Sequence, residues 1–570
     1  MLLAHLAVEH RLVSALPTTS VLPKAHLLNQ RTMEILDDAG VADAIYAVGT
    51  PRENMAKTAF YAGFAGWPDA GRRLGILDAW GAAGSDLDWE AASPKWSANL
   101  PQIRLEPLMK EHAERLSPGS VHFGHEVLSV EQDDDGVTTT VRERDSGHEY
   151  RVRSRYLLAC DGGRFVGPSL GIEYEGLRDV GSVASIHLSA DLSAWARDPE
   201  VLIRWTWLPH LSTMATLVPM GPTHWGPESE EWVVHLSYAS GDPRRLSDDE
   251  VEADMRRALG IGDHEVAIHM ITRWELMGVV ASALRVGHVF LLGDAAHRHP
   301  PTGGLGLTSA TQDVHNLCWK IAHVLDGTAG EGLLDSYEPE RRAADQWNVD
   351  NSLASAVNHI VIGEALGLVD PAQTPEAGWA TVARLWGSDP ADDEYREGVR
   401  RAIASQTQEF RKLNVEYGYR YDSDAIVPDG TPEEPNPDPT RVYLPSTRPG
   451  SPLPHAWVTG RDGARVSTLD LVRAGRFTLI GGPRAGAWIE AATRLRDGWG
   501  LPLDAVTIGH LEGDYLDLEC TWLRHRGFSD EGAILVRPDR FVAWRSHSGA
   551  SAGEPDLCQT LEQVLARSLS

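Results

Sequence analysis

The chain has 570 residues, 42% hydrophobic and 23% charged, and a formal charge of −29. Its length exceeds one compact core and predicts three or four units at about 150 residues each. An acidic balance with no basic stripe excludes nucleic acid and anionic membranes as expected partners. No run reaches the roughly 18 apolar residues of a membrane helix. The apolar opening, residues 1–8, lacks both a basic flank and a cleavage site. The four cysteines, Cys160, Cys318, Cys520 and Cys558, are scattered without a C-x-x-C pair, so a reducing cytoplasm is the expected compartment.

In chain order, residues 2–8 read as helical and 12–15 as a short strand, the second half of a βαβ unit. Helices are predicted over 32–39, stopped by Gly40, and over 107–116, just after Gln102. Residues 127–141 alternate around the Asp133–Gly136 turn and read as a hairpin. The apolar run 156–160 reads as a strand buried on both faces. From about 183 to 274 the pattern is β-rich, with strands over 201–218 and 232–238 that carry Trp205, Trp207, His210, His235 and Tyr238. This is read as an inserted substrate sheet, with Trp205 and Trp207 on one face. Residues 289–292 form another apolar strand and 309–325 a long amphipathic helix. Helical segments continue to about 413, and the Pro- and acid-rich stretch 428–439 reads as a linker. Strands at 477–480, 505–508 and 533–536 then alternate with helical stretches in a last α/β unit.

The strongest chemical signal is the loop between the 289–292 strand and the long helix, Gly293-Asp294-Ala295-Ala296-His297-Arg298-His299-Pro300-Pro301-Thr302-Gly303-Gly304-Leu305-Gly306-Leu307-Thr308. A carboxylate at a strand end can accept from sugar-like hydroxyls, and glycines let backbone N–H groups approach a ligand at a helix N-terminus. On its own, Asp294 could equally be a helix cap. The loop and the following Gln312-Asp313-Val314-His315-Asn316 resemble the GD motif and helix of the flavoprotein aromatic hydroxylases that carry FAD. Cys160-Asp161-Gly162-Gly163-Arg164 resembles the DG motif of that family, although an isolated Asp-Gly is usually a turn. Pro23-Lys24-Ala25-His26-Leu27-Leu28-Asn29-Gln30-Arg31-Thr32 resembles the segment that runs past the FAD diphosphate and flavin edge in phenol hydroxylases, with Lys24 where an Arg is usual.

The resemblance spans nearly the whole chain. It implies an α/β protein with a Rossmann-like FAD-binding domain, an inserted β-rich substrate domain and a C-terminal thioredoxin-like domain without redox cysteines. The expected divisions are 1–182, 183–274, 275–427, a linker at 428–445, and 446–570, the last serving packing or a homodimer contact. It assigns FAD contacts to Lys24, Gln102, Asp161, Gly162, Gly293, Asp294, Pro301, Gly304, Gly306, Leu307 and Thr308. Many relatives carry Asn in place of Thr308. The implied reaction reduces FAD with NADPH or NADH, traps O2 as a flavin C4a-hydroperoxide and hydroxylates a phenolic or polyketide ring. A base that removes the phenol proton raises ring nucleophilicity, and His26, His210, His235 and Tyr238 are the candidates. Each is set against a plain packing role. His297 and His299 have no third ligand at a matching spacing, so no metal site is expected.

One expected feature is missing. A dinucleotide-binding unit opens with a strand and a G-x-G-x-x-G turn that presents the pyrophosphate to a helix N-terminus. The chain has no such sequence, and Ser14 stands where an acidic residue would hold the adenosine ribose. A complete turn would need about 15 to 20 more residues. The expectation is a start set too late, and the alternative is a cofactor-free descendant that only binds an aromatic ligand.

Overall fold

The computed structural model describes residues 1–83, 86–238, 247–370, 372–549 and 554–569. The strand Leu12–Ser14 is found, paired in parallel with Val121–Phe123. Asn29 caps the helix Gln30–Asp38 by accepting from Thr32 N–H at 2.9 Å. The next long helix runs Gln102–Leu116, beginning five residues ahead of the expected start and enclosing Pro107. Pro107 lies on the solvent side, where the carbonyl it leaves unpaired can be hydrated. The expected hairpin is His125–Asp133 with Gly136–Glu143, extended by a third strand, Glu149–Ser154.

The strands Leu157–Ala159 and Val289–Leu291 are parallel neighbours; the second is fully buried, whereas Leu157 and Leu158 of the first are only half-buried, short of the expected burial on both faces. They lie 130 residues apart in sequence, and the interval is filled largely by an eight-stranded sheet. That sheet is wider than the 183–274 segment. It also takes in Lys57–Ala62 and Arg72–Asp78 at one edge, and its strands Tyr174–Ser189 and Ala267–Ala281 run past both limits. Between Tyr238 and Ala267, inside the segment read as β-rich, the chain forms a helix, Asp248–Leu259. Ser247 and Glu250 make a capping box there, and Val251, Met255 and Ala258 at helical spacing bury one side.

That helix divides the sheet into two unlike faces. Trp232, Val234, Leu236 and Leu217 pack beneath it. Trp205, Trp207, Val218 and Val233 point the other way, into a core shared with Leu27, Phe60 and Ile362. The shared face of Trp205 and Trp207 follows from the period of two along a strand.

The last unit is a seven-stranded mixed sheet whose central Phe477–Gly481 is parallel to Leu503–Gly509 and antiparallel to Ala533–Val536, with helices Gly486–Trp499 and Glu554–Val564 on one face. The 428–439 stretch is irregular, as expected of a linker, but it is tied down. Asp429 Oδ2 lies 2.6 Å from Arg545 Nη2, and Val427 N–H bonds Ala543 O at 2.7 Å. Among the described residues no helix is long and apolar enough to cross a membrane.

Candidate active site

Because Leu157–Ala159 and Val289–Leu291 are parallel neighbours, the Asp161 turn and the Asp294 loop emerge side by side at their carboxyl ends, where open α/β sheets bind ligands. The turn is organised by Asp161, which accepts from Gly163 N–H at 3.1 Å and from Phe165 and Val166 N–H at 2.8 Å each. Gly162 and Gly163 both have positive φ, and a Cβ on Gly163 would fall 2.0 Å from Tyr174 Oη. Tyr174 Oη in turn donates to Ala295 O at 2.7 Å, so the turn and the loop are locked together.

Asp294 is exposed, and among the described residues no hydrogen bond or ion pair engages its carboxylate. The other acidic group of the loop region is fully used. Asp313 accepts from Gly293 N–H at 2.9 Å, His297 Nε2 at 3.0 Å and Arg341 Nε at 2.8 Å, and Arg341 Nη2 reaches Asp345 at 2.7 Å. Burial alone would discharge His297, but Asp345 and Asp313 outweigh it and raise its pKa to about 9. Burial raises Asp345 to about 6 against the pull of Arg341. His299, buried beside cationic His297, is pushed down to about 3. The carboxylates that gather around His297 come from two distant helices, so spacing along the chain could not show them. Arg341 already fills the position between them that a cation would take. In the cluster of His187, Glu231 and His269, Arg104 does the same at 2.7 Å from Glu231.

Past Pro301 the chain turns through Gly303 (φ 80°) and Gly304 (φ 64°) into the long helix Gly306–Leu325. The first backbone bond there is Ser309 N–H to Leu305 O, so the amides of Gly306, Leu307 and Thr308 precede the helical ladder. No side chain caps this end. Thr308 is held by Thr32 Oγ1 at 3.2 Å. Lys24, exposed at φ 43°, sits between Pro23 and Ala25, whose carbonyls accept from Gln102 N–H. The Gln102 side chain bonds Glu106. A free carboxylate, uncapped helix amides and an exposed lysine suit a polyol phosphate carrying a flat acceptor-rich ring, which is what FAD offers.

Of the base candidates, the structure unites two. His26 and His235 come from different parts of the chain, and the charge of His26 bears on His235. Burial pushes His235 down to about 4, with His26 adding to the effect, and burial also lowers His26. Both are neutral at pH 7, and their partners assign their protons. Asn99 Nδ2 donates to Thr50 Oγ1 at 2.7 Å, which turns Oδ1 toward His26 Nδ1 at 2.6 Å. His26 therefore carries its proton on Nδ1 and a lone pair on Nε2. Trp274 Nε1 donates to Ser185 Oγ, whose hydroxyl donates in turn to His235 Nδ1, each at 2.8 Å, leaving N–H at Nε2 of His235. Asn99, Ser185 and Trp274 were not foreseen, because none lies within a recognisable motif.

Tyr238 and His210 lie elsewhere. Tyr238 is three residues past His235, so it faces the Asp248–Leu259 helix, with its hydroxyl near Asp254. His210 follows the end of the Val201–Leu208 strand, bonds Arg257 O at 3.1 Å and stacks on Trp67 and Trp379.

Comparison with known proteins agrees with this geometry. Residues 1–352 match the family described as FAD binding domain, and 446–568 match the aromatic-ring hydroxylase C-terminal domain. The chain is 36% identical to a 2,4-dichlorophenol 6-monooxygenase of Delftia acidovorans, covering 99% of this chain and 95% of that one. It is 35% identical to a phenol 2-monooxygenase of a Pseudomonas strain, covering 98% and 90%. A crystal structure of the flavin-dependent monooxygenase PieE in complex with FAD and substrate superposes with a TM-score of 0.90 at 37% identity, covering 99% and 96%. With both domains matched and relatives 35–36% identical over nearly the whole chain, the chain belongs to the FAD-dependent aromatic-ring hydroxylases.

Proposed function

We propose that the enzyme hydroxylates a phenolic ring that bears no carboxylate, using FAD, NADPH or NADH, and O2, in the cytoplasm and as a homodimer in contact through the 446–570 unit. The carrying observation is the opposite proton polarity of His26, beside Leu27 of the Trp205 core, and His235, on the Trp205 row of the sheet. FAD, when bound, supplies the transfer of two electrons from the nicotinamide and the activation of dioxygen. The protein's part is positioning and proton control. Asp294 would accept from ribitol-like hydroxyls of bound FAD, and the amides of Gly306, Leu307 and Thr308 would offer donors to an electron-rich ring edge. His26 Nε2 takes the phenol proton and His235 Nε2–H donates to the oxygen left negative, which raises electron density on the ring.

Selectivity follows from charge. Arg204, on the same strand as Trp205, points to the opposite face and is consumed by the carbonyls of Val201 and Asp198. The Trp205, Thr216, His235 row therefore offers no cation to a carboxylated ring, and the phenol or chlorophenol named for the relatives is the fitting class. The test is the visible spectrum of the purified chain after incubation with FAD and removal of free cofactor, followed by NADPH oxidation with phenol, 2,4-dichlorophenol or 4-hydroxybenzoate. A retained flavin band, with oxidation and hydroxylated product from the two uncharged phenols only, is expected. Phenol binding without flavin retention would overturn the catalytic reading, and preference for 4-hydroxybenzoate would overturn the substrate class.

A further inference from the structure

Behind the Gly303 turn sits a set of buried charged groups with no part in the steps above. Both backbone polar groups of Gly303 are engaged by ions: its N–H donates to Glu409 Oε1 at 2.9 Å, and Lys412 Nζ donates to its carbonyl. The other oxygen of Glu409 meets His359 Nε2 at 2.7 Å. The His359 ring stacks on Trp205 with centroids 4.1 Å apart. Across the sheet, Trp205 is the register partner of Thr216 and Thr216 that of His235. On the opposite side of the turn, a Cβ on Gly304 would stand 2.8 Å from Leu27, the neighbour of His26. The contacts thus run from Trp205 through His359 and Glu409 to the Gly303 turn, whose next residue, Gly304, lies against Leu27 beside His26.

A turn of this kind needs no buried ions merely to exist, since water or a neutral side chain can satisfy one peptide. Hydrogen bonds to buried ions are stronger and hold their partner to a narrower geometry. The turn also borders a cavity of about 60 Å³ lined in part by Thr302, Gly303, Leu305 and Lys412.

We propose that His359 and Glu409 are positioning residues that report an aromatic ring seated beside Trp205 to the Gly303–Gly304 turn, so that filling the substrate side resets the surface on which the flavin rests. The proposal rests on the hydroxylase reading. It involves contact adjustment only, and the shift it can produce is bounded by the difference in phenol affinity between the two positions of the turn.

Hydrogen exchange on the wild-type chain, with and without FAD, gives the first test. Saturating phenol should change exchange of amides 302–306 by about fivefold or more, in the range of ordinary coupling energies. His359→Phe keeps a ring against Trp205 but removes the nitrogen that meets Glu409. By calorimetry its phenol and FAD dissociation constants should stay within about threefold of wild type, while phenol no longer alters exchange at 302–306 or the flavin absorption spectrum. His359→Gln, whose amide can reach Glu409, should restore part of both responses. A full phenol response in His359→Phe overturns the proposal. If that variant does not melt cooperatively, wild type decides, and bound phenol without a change at 302–306 overturns it equally. A wild-type chain that binds neither FAD nor phenol would instead remove the hydroxylase reading on which the proposal stands.

Discussion

Asp294 and Asp313 show how position decides the work of a carboxylate. Asp313 is buried and saturated by Gly293, His297 and Arg341, whereas Asp294, one residue past Gly293, is exposed with no protein partner among the described residues. Asp294→Ala should leave folding near wild type, because nothing in the protein loses a bond. It should weaken FAD binding by about 10- to 100-fold, the worth of hydrogen bonds to an ionised acceptor, read by equilibrium dialysis. Asp313→Ala should instead lower the melting temperature. The same logic separates the base candidates. His26→Gln removes the Nε2 lone pair and should lower kcat by about 100-fold or more at pH 7 while flavin stays bound. Tyr238→Phe, on the far face of the sheet, should keep kcat within about twofold. A Tyr238→Phe enzyme as damaged as His26→Gln in stopped-flow and steady-state assays would show that the two sheet faces have been assigned the wrong way round.

At the level of elements, what could be read from the sequence was whatever is local. The strand 289–291, the turn at Gly303 and the helix behind it are contiguous, and the chemistry of their loop is written in order along the chain. The helix Asp248–Leu259 was obscured by strong β patterns on both sides, although its Ser247 cap with Glu250 and its 3.6-residue spacing were available to find it. The ionic network behind the loop was not available. Asp313 and the pair Arg341 and Asp345 lie on separate helices, and only their crossing brings them to His297. The network has a pH consequence. The pKa of His297 is raised from 6.5 to about 9, so its stabilising contribution is complete below pH 6.5 and disappears as pH rises through 9. Between those values the wild-type melting temperature should fall more steeply than that of His297→Gln, which has no proton to lose. Parallel melting curves against pH would show that His297 holds no charge in the folded protein.

Across the whole molecule, the C-terminal unit is joined to the cofactor domain by charge as well as by apolar packing. Arg537, on the turn that follows Ala533–Val536, reaches Glu340 with both terminal nitrogens at 2.5 and 2.9 Å and is also paired with Asp539. Lys320, on the helix Gly306–Leu325, bonds the same Glu340 at 2.7 Å. Arg31, from the segment after His26, reaches Asp539 O at 2.9 Å, and Arg540 pairs with Asp38 at 2.6 Å. Arg537, Lys320, Glu340 and Asp539 are essentially sealed from solvent, two cations against two anions. Balance of this kind is costly to break from one side, because a buried charge is left uncompensated. Arg537→Met should therefore destabilise the protein by about 3–5 kcal/mol in denaturant unfolding. Since Lys320 and Arg31 tie the network to the elements that carry Thr308 and His26, flavin release should accompany the loss rather than follow it. The double variant Arg537→Met, Glu340→Gln leaves Lys320 facing Asp539, one charge of each sign, and should recover part of that loss as a coupling of about 1–3 kcal/mol in a double-mutant cycle. Additive single and double effects would mean that the unit is held by its apolar contacts alone, and that the C-terminal domain could be loosened without disturbing the flavin.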